Sequence, residues 1–178
     1  MPDEAYWESL FDVPLILSRL GMERFSDVAE LGCGYGTFTI PAAKLIGGTL
    51  YTFDVDPVMV SRTKDRGVGL PIAASQRDVI ASGFGVRVDA VLLFNILHHE
   101  QPIELLRQAA SALRPHGEAL VIHWRYGETP RGPSLDIRPR PEQIMAWAAE
   151  GGLTPVGDVI DLPPWHYGIR LAASDAEP

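Results

Sequence analysis

Three glycines alternate directly after a short apolar segment, at Gly32, Gly34 and Gly36. The apolar segment 28–31 is typical of a buried strand, and a helical pattern follows the glycines. Glycine tolerates positive φ and has no Cβ, so the main chain can turn sharply here and approach a ligand closely. The helix that follows begins with backbone N–H groups that lack partners within the helix. This turn predicts a binding site for a nucleotide-like molecule, with purely structural glycines at a tight turn as the alternative.

Strand and helix patterns alternate along the chain from residue 26 almost to its end. Strands are predicted at 28–31, 49–54, 70–74, 88–95, 118–124, 154–161 and 166–172, and helices at 6–20, 37–46, 57–66, 102–113 and 142–149. The last two strands, which Pro163, Pro164 and Trp165 separate, predict an antiparallel hairpin. Such alternation is typical of an α/β sandwich with a mostly parallel sheet, in which ligands bind beyond the carboxyl ends of the strands.

Composition and charge restrict the class of protein. Because 46% of the 178 residues are hydrophobic, we expect a single domain over 1–178, with an N-terminal helix and lid at 1–25 and a frayed tail at 174–178. The chain has no apolar run of roughly 18 residues and begins with an acidic segment, so neither a membrane span nor a secretory signal is predicted. Cys33 is the single cysteine, which excludes an internal disulfide and predicts a cytoplasmic location. The net charge of −8 argues against binding of long nucleic acids.

Two aspartates follow predicted strands at the edge where a ligand is expected. Asp54 ends the second strand, where its carboxylate can accept hydrogen bonds from both hydroxyls of a ribose. A helix cap is the alternative role, but Asp56, directly before Pro57, suits that role better. Asp78 follows the weak third strand and can bind the amino edge of adenine, with a turn or cap aspartate as the alternative.

Several of these segments carry a family resemblance. The segment 30–36, then 51–54, Asp78, 89–99 and 113–117, resembles the successive motifs of class I S-adenosylmethionine-dependent methyltransferases. The resemblance covers roughly residues 6–172. It implies a Rossmann-like fold with a mostly parallel seven-stranded sheet and an antiparallel C-terminal hairpin. It also implies S-adenosyl-L-methionine as the cofactor and methyl transfer to a small-molecule acceptor.

The resemblance also assigns a role to each matching position. Glu30 and the backbone of the glycine turn would hold the methionine end of the cofactor, and Asp54 would bind the ribose. Val55 would pack against the adenine, Asp78 and Val79 would flank its amino group, and Asn95 would line the methyl-donor side. The implied cofactor-binding residues are Glu30, Gly32, Cys33, Gly34, Tyr35, Gly36, Asp54, Val55, Asp78, Val79 and Asn95.

Two other classes of function stay open at this stage. A protein that binds S-adenosylmethionine without catalysis would need the same residues, because none of them performs the transfer. A nicotinamide-dependent oxidoreductase is less favoured, because its glycine motif is GxGxxG and the spacing here is GxGxG.

Three histidines are predicted at strand ends facing the cleft: His98, His99 and His123. An imidazole titrates near neutral pH and can accept a proton if the acceptor must lose one. The alternative is that His98 and His99 cap a helix or bind loop backbone. No metal is expected, because no third ligand follows these two at a suitable spacing.

Four arginines lie in or beside the long loop predicted at 127–141: Arg125, Arg131, Arg138 and Arg140. They suggest a lid that contacts a carboxylate or phosphate on the acceptor, which would make the acceptor anionic. A solvated loop is the alternative. The sequence does not indicate the acceptor atom or the oligomeric state.

Overall fold

The computed structural model describes residues 3–173, so the frayed tail predicted at 174–178 lies outside the described residues. Helices cover both faces of one central sheet. The strands are β1 (Val28–Leu31), β2 (Leu50–Asp54), β3 (Ile72–Gln76), β4 (Val88–Phe94), β5 (Leu113–Trp124), β6 (Leu153–Pro155), β7 (Ile160–Leu162) and β8 (His166–Ala173). The helices are α1 (Glu4–Glu8), α2 (Val13–Leu20), α3 (Thr39–Ala43), α4 (Pro57–Arg66), α5 (Val79–Ser82), α6 (Pro102–Ala112) and α7 (Pro141–Glu150), with a 3-10 turn at Met22–Arg24. None of these helices is long and apolar enough to span a membrane.

The sheet has the strand order β3-β2-β1-β4-β5-β8-β6, with β7 also paired to β8. Strands β1 to β5 are parallel to their neighbours, and β8 is antiparallel to β5. The order of the parallel strands reverses direction at β1 and β4, so a crevice forms above their carboxyl ends. The predicted α/β sandwich with a mostly parallel sheet and an antiparallel C-terminal hairpin is confirmed.

The outer edge of β8 is shared by two short strands. Leu153 of β6 pairs with Ala173, whereas Ile160 of β7 pairs with Gly168, so the two strands lie end to end along β8. Seven positions across the sheet are therefore filled by eight segments. The prediction of one continuous strand over 154–161 is wrong, because Pro155 lacks an N–H and Gly157 adopts a φ of 76°.

The core is divided by the sheet into two layers. Strand β4 is the most deeply buried, and its side chains alternate between the layers. Ala90 and Leu92 pack with α2 and α3, whereas Val91 and Leu93 pack with α5, α6 and α7. Burial on both faces explains why this strand reads as a nearly continuous apolar run.

The helix predicted over 6–20 is two helices. The Asp12 carboxylate accepts a hydrogen bond from the Leu15 N–H at 3.1 Å and so begins α2, with Pro14 in its first turn. A proline at this position is compatible with a helix start but not with a helix interior, because it lacks an N–H. The helix predicted over 37–46 is also shorter, since α3 covers Thr39–Ala43 and has no side-chain cap.

Candidate active site

The glycine turn begins where β1 ends. Gly32, Gly34 and Gly36 have φ values of 81°, 50° and 79°, in the region that side chains with a Cβ rarely adopt. A Cβ built on Gly32 would meet only Ile96 Cδ1, at 3.9 Å. The conformation therefore requires glycine, while the space above Gly32 is open to a ligand.

Glu30 is a buried carboxyl at the end of β1, with a 3% exposed surface. Its Oε2 atom accepts hydrogen bonds from Thr39 Oγ1 at 2.5 Å and Thr52 Oγ1 at 2.8 Å. Burial raises the pKa of Glu30 to about 7, which the two threonine hydroxyls oppose and the charge of Asp54 assists. A cation bound beside Glu30 would favour its ionised form, because an opposite charge stabilises a carboxylate.

Asp54 connects the end of β2 to the glycine turn. Its Oδ2 atom accepts a hydrogen bond from the Gly34 N–H at 3.1 Å, and Cys33 Sγ lies 3.7 Å from the same oxygen. Its Oδ1 atom accepts from the Asp56 N–H at 3.0 Å. Asp56 itself caps α4 through the Val58 N–H at 2.8 Å. The cap role therefore belongs to Asp56, as predicted. The Asp54 carboxylate lies at the carboxyl end of β2, beside the glycine turn.

A cavity of about 150 Å³ opens beyond the carboxyl ends of β1, β2 and β3. Five of the predicted cofactor residues meet there: Gly32, Asp54, Val55, Asp78 and Val79. The other lining residues are Leu31, Ile80, Ile96, His99 and Leu105. Of these, His99 was a predicted site residue, whereas Ile80 on α5 and Leu105 on α6 were not, because an aliphatic side chain on a helix has the same sequence pattern whether it lines a cavity or the core.

Asp78 lines this cavity and also caps α5. Its Oδ1 atom accepts hydrogen bonds from the N–H groups of Ile80 at 2.9 Å and Ala81 at 3.2 Å. The cap that was the alternative reading of Asp78 is therefore present in the structure. The cap holds the carboxylate at the cavity edge, so the two readings are compatible.

Two buried oxygens near the glycine turn and the end of β4 have no hydrogen-bond partner among residues 3–173: Thr37 Oγ1 and Asn95 Oδ1. Asn95 has a φ of 55°, which asparagine tolerates better than most residues. Its N–H donates to the Ile122 carbonyl at 2.9 Å and so holds it between the ends of β4 and β5. Buried polar atoms normally have partners, so these oxygens are suited to groups of a bound ligand.

The three predicted catalytic histidines differ in their surroundings. His98 is partly buried and its Nδ1 atom has no partner within the described residues. The Nδ1 atom of His99 accepts a hydrogen bond from the Gln101 N–H at 3.0 Å, just before α6, as its alternative reading predicted. His123 was predicted to face the cleft, but its exposed fraction is 0%. It pairs across the sheet with Tyr167, and its ring centroid lies 5.5 Å from that of His98.

His98 and His99 belong to a second, larger cavity of about 570 Å³, here called the histidine cleft. It lies between the β4–α6 connection, the segment before α7, and α7 itself. Its lining residues are Leu97, His98, His99, Glu100, Pro102, Ile103, Asp136, Ile137, Arg138, Pro139, Gln143 and Trp147. Because His99 lines both cavities, the histidine cleft adjoins the cavity that contains Asp54.

The family model described as "Methyltransferase domain" matches residues 28–117, which is just over half of the chain. The chain belongs to this methyltransferase family. It is an enzyme of the class that uses S-adenosylmethionine as the methyl donor, so the predicted activity and cofactor are confirmed. The glycine turn and Asp54 lie within the matched segment.

Solved methyltransferases share the fold. An S-adenosylmethionine-dependent methyltransferase from Aquifex aeolicus is similar over 95% of this chain and 93% of that chain, with a TM-score of 0.81 and 19% identity. A putative type 11 methyltransferase from Sulfolobus solfataricus is similar over 86% of both chains, with a TM-score of 0.71 and 20% identity. The N-methyltransferase NodS from Bradyrhizobium japonicum WM9 is similar over 92% of this chain and 99% of that chain, with a TM-score of 0.72 and 18% identity. No curated protein sequence matches the chain.

The N-terminal helix of the methyltransferase is linked to the glycine turn by arginines of α4. Glu4 forms ion pairs with Arg62 and with Arg66, the latter at 2.6 Å, and Glu8 lies 3.1 Å from Arg66. The same Arg66 Nη1 atom donates to the Tyr35 carbonyl at 2.6 Å. These contacts connect α1 to the turn through α4.

The cysteine of the turn is not suited to nucleophilic chemistry. Cys33 is buried, and burial raises the pKa of its thiol to about 12. The thiolate is the reactive form, so the thiol is inert near neutral pH. Within residues 3–173, no three histidine, cysteine, aspartate or glutamate side chains are placed to hold a metal ion.

Arg138 holds the long loop of the enzyme together and is only 7% exposed. Its Nη1 atom donates to the carbonyls of Arg125 and Gly127, at 3.0 and 2.9 Å, and to Thr129 Oγ1 at 2.8 Å. Its Nε and Nη2 atoms donate to the Pro133 carbonyl at 3.0 and 2.7 Å. None of the carboxylates in residues 3–173 forms an ion pair with Arg138.

The predicted arginine lid must therefore be revised. Arg138 is bound by the loop that it was predicted to extend from, and Arg125 forms an ion pair with Asp161. Arg140 lies over the Tyr126 ring, 3.8 Å from its centroid. The prediction was wrong for Arg138 because its contacts join residues of one loop whose path cannot be read from composition.

We expect Arg138→Leu to lower the free energy of unfolding by about 2 kcal/mol, because the loop carbonyls lose their donors. Trypsin should then cleave after Arg131 much faster than in the wild type. Urea unfolding and timed proteolysis measure the two effects. Lys44→Leu, which replaces an exposed cation elsewhere, is the matched control and should change neither. Equal stability and equal cleavage in Arg138→Leu and the wild type would refute the role.

Proposed function

We propose that this methyltransferase binds S-adenosylmethionine across the glycine turn and the cavity beside it, and methylates a small molecule in the histidine cleft. The observation that carries the proposal is the meeting of Gly32, Asp54 and Asp78 around one cavity at the carboxyl ends of three parallel strands. That edge of an open α/β sheet is the usual place for a nucleotide-like ligand.

S-adenosylmethionine supplies a methyl group on a positively charged sulfonium and also carries an ammonium group. We propose that Glu30 and the backbone of the residues from Gly32 to Gly36 hold this methionine end. The depth of Glu30 supports the assignment, because a buried carboxylate needs an opposite charge or strong donors. The unpartnered Thr37 and Asn95 oxygens lie beside the same turn and strand end and offer further acceptors.

The adenosine end is assigned to the cavity of about 150 Å³. Asp54 would accept hydrogen bonds from the ribose hydroxyls, and Asp78 and Val79 would flank the adenine amino group. Val55 supports this assignment, because its side chain is 64% exposed beside the cavity and a bound adenine would cover it. Burial of an apolar side chain by the ligand contributes to affinity.

His98 is the residue that we propose to accept a proton from the acceptor. It lines the histidine cleft, and burial together with the charge of His99 lowers its pKa. A lowered pKa leaves the imidazole neutral at pH 7, which is the form that can accept a proton. His99 is occupied by the Gln101 N–H and His123 is fully buried, so neither is assigned this role.

A small acceptor fits the size of the cleft. Its volume of about 570 Å³ falls within the range of about 300–1,000 Å³ that is typical of small-molecule sites. The net charge of −8 supports the same proposal, because long nucleic acids are bound through basic surfaces. Residues around the cleft would align the acceptor with the methyl group and exclude water, which supplies much of the acceleration in a transfer of this kind.

Calorimetry tests the cofactor assignment. We expect S-adenosylhomocysteine to bind and NAD to show no heat of binding. Binding of NAD without binding of S-adenosylhomocysteine would refute the proposal.

Transfer of a labelled methyl group to a panel of small molecules tests the acceptor side and identifies a substrate. His98→Gln should then lower turnover while leaving the Kd of S-adenosylhomocysteine unchanged. Unchanged turnover would exclude His98 as the base.

A further inference from the structure

The histidine cleft has one wall that is apolar and partly aromatic. Trp147 of α7 lines it and is only partly buried, and Ile137 on the facing segment is 50% exposed. Ile103 and Pro102 at the start of α6 continue the apolar surface. A partly exposed indole next to aliphatic side chains is suited to a flat ring, because aromatic pairs stack with large contact area.

The charges of the cleft are unequally available to a ligand. Arg138 is the one cation among its lining residues, and its donors are directed to three loop carbonyls and a hydroxyl. Glu100 and Asp136 are exposed, and neither forms an ion pair within residues 3–173. The Ser134 hydroxyl and the Asp136 backbone lower the pKa of Asp136, so it carries its negative charge at pH 7.

Two imidazoles, those of His98 and His99, complete the lining of the cleft. His98 has a buried Nδ1 atom without a partner in the described residues, and His123 lies directly behind it, 0% exposed, with both ring nitrogens unpartnered. The cleft therefore combines an apolar wall, the partly buried His98 imidazole and two carboxylates that form no ion pair within residues 3–173.

We propose that the histidine cleft selects acceptors that carry an aromatic ring and a cationic or uncharged substituent, and that it discriminates against anionic acceptors. This inference rests on the proposed function and names the substrate class for the acceptor site. Glu100 and Asp136 attract a cationic substituent and repel a carboxylate, while the Trp147 ring favours both a flat ring and a cation. All three nitrogen atoms of the Arg138 guanidinium donate to loop oxygens, so its hydrogen bonds are directed to the loop and not to the carboxylate of an acceptor.

The test uses three phenols of similar shape: tyramine, 4-ethylphenol and 4-hydroxyphenylacetate. Their Kd values are measured by ligand-observed NMR on the full chain, with and without saturating S-adenosylhomocysteine. We expect tyramine to bind about tenfold more tightly than 4-hydroxyphenylacetate, with 4-ethylphenol between them, because two partly solvated charge contacts each contribute a few-fold. Equal binding of the amine and the carboxylate, or tighter binding of the carboxylate, would overturn the proposal.

Charge reversal separates the cleft from the overall acidity of the chain. Glu100→Lys and Asp136→Lys should each narrow the preference for tyramine by several-fold. Glu23→Lys makes the same change in net charge at an exposed site outside the cleft and should leave the preference unchanged. An equal effect of all three variants would show that net charge alone sets the preference and would refute the site.

Trp147→Ala tests the ring. It should weaken binding of all three phenols, and of tyramine most, because tyramine also loses the contact between its ammonium group and the indole, while the Kd of S-adenosylhomocysteine stays unaltered. Binding of S-adenosylhomocysteine together with no binding of any phenol would refute this inference while the proposed cofactor site stands. Phenol binding with the expected charge preference but no binding of S-adenosylhomocysteine would support the acceptor class and refute the proposed cofactor site.

Discussion

Asp54→Ala is expected to weaken binding of S-adenosylhomocysteine by about 2–4 kcal/mol, or roughly 30- to 1,000-fold in Kd, because two charge-assisted hydrogen bonds to a ribose are lost. The loss has a second source within the protein. Asp54 Oδ2 accepts from the Gly34 N–H at 3.1 Å, so the variant also releases the glycine turn from β2. Isothermal titration calorimetry measures the change.

Two control variants distinguish these contributions. Asp54→Asn keeps a side-chain oxygen for Gly34 and should lose less affinity than Asp54→Ala. Asp56→Ala removes the cap of α4 two residues later, which should cost about 1 kcal/mol of folding stability without changing the Kd. An Asp54→Ala enzyme with wild-type affinity would show that the ribose lies elsewhere.

Acid is expected to destabilise the enzyme through two buried histidines. Burial lowers the pKa of His123 and of His166 to about 3, with the charges of His98 and Arg125 as the respective secondary causes. The unfolded chain binds these protons at a pKa of about 6.5. The contribution to stability is therefore complete above pH 6.5 and is lost as the pH falls towards 3. Between pH 7 and pH 5 the loss is about 2 kcal/mol for each histidine.

Glu30 acts in the opposite direction over the same range. Its pKa is raised from 4.5 to about 7, so the stability that it contributes in acid is lost as the pH rises through that interval. Protonation of Glu30 therefore raises the free energy of unfolding by about 2 kcal/mol as the pH falls from 7 to 5, which offsets roughly half of the loss from the two histidines. The titration of a single histidine is therefore measured best by comparing variants.

His166→Phe isolates one of the two histidines. The His166 ring stacks on Phe11 with 4.6 Å between ring centroids and is tilted against Trp124 at 4.2 Å, and neither of its nitrogens has a partner within the described residues. A phenylalanine retains the stacking and removes the titration. We expect the decrease in the free energy of unfolding between pH 7 and pH 5 to be about 2 kcal/mol smaller than in the wild type.

Phe11→Leu changes the same contact without removing a titrating group. It should lower the free energy of unfolding by equal amounts at pH 7 and pH 5, as measured by urea denaturation at each pH. If His166→Phe and the wild type lose stability equally on acidification, protonation of His166 does not drive the acid response.

Local signals explain which features could be predicted from the sequence. The pair Asp56 and Pro57 marks a helix start within two residues, and the apolar run of β4 marks a strand buried on both faces. The location of the ligand site could be predicted from these elements, because parallel strands bring their carboxyl ends together at one edge of the sheet. The break at Asp12 and Pro14 was also present in the sequence, but the apolar pattern over 6–20 favoured one helix.

Other features depend on contacts between distant residues. The burial of His123 comes from its pairing with Tyr167 on β8 and from the loop above it. The role of Arg138 depends on the path of the main chain from Arg125 to Pro133, which composition does not specify. Neither of these features has a local motif.

The position of β8 has a consequence for the order of folding during synthesis. It is the last described strand in the chain, yet it lies inside the sheet, between β5 and the two short edge strands. The strands that carry the glycine turn and Asp54 precede β8 in the chain and pair with one another. The histidine cleft depends on β8, because Tyr167 donates a hydrogen bond to the Pro139 carbonyl at 2.9 Å. The half that binds the methyl donor can therefore assemble first, and the half that selects the acceptor is completed only when the final strand inserts.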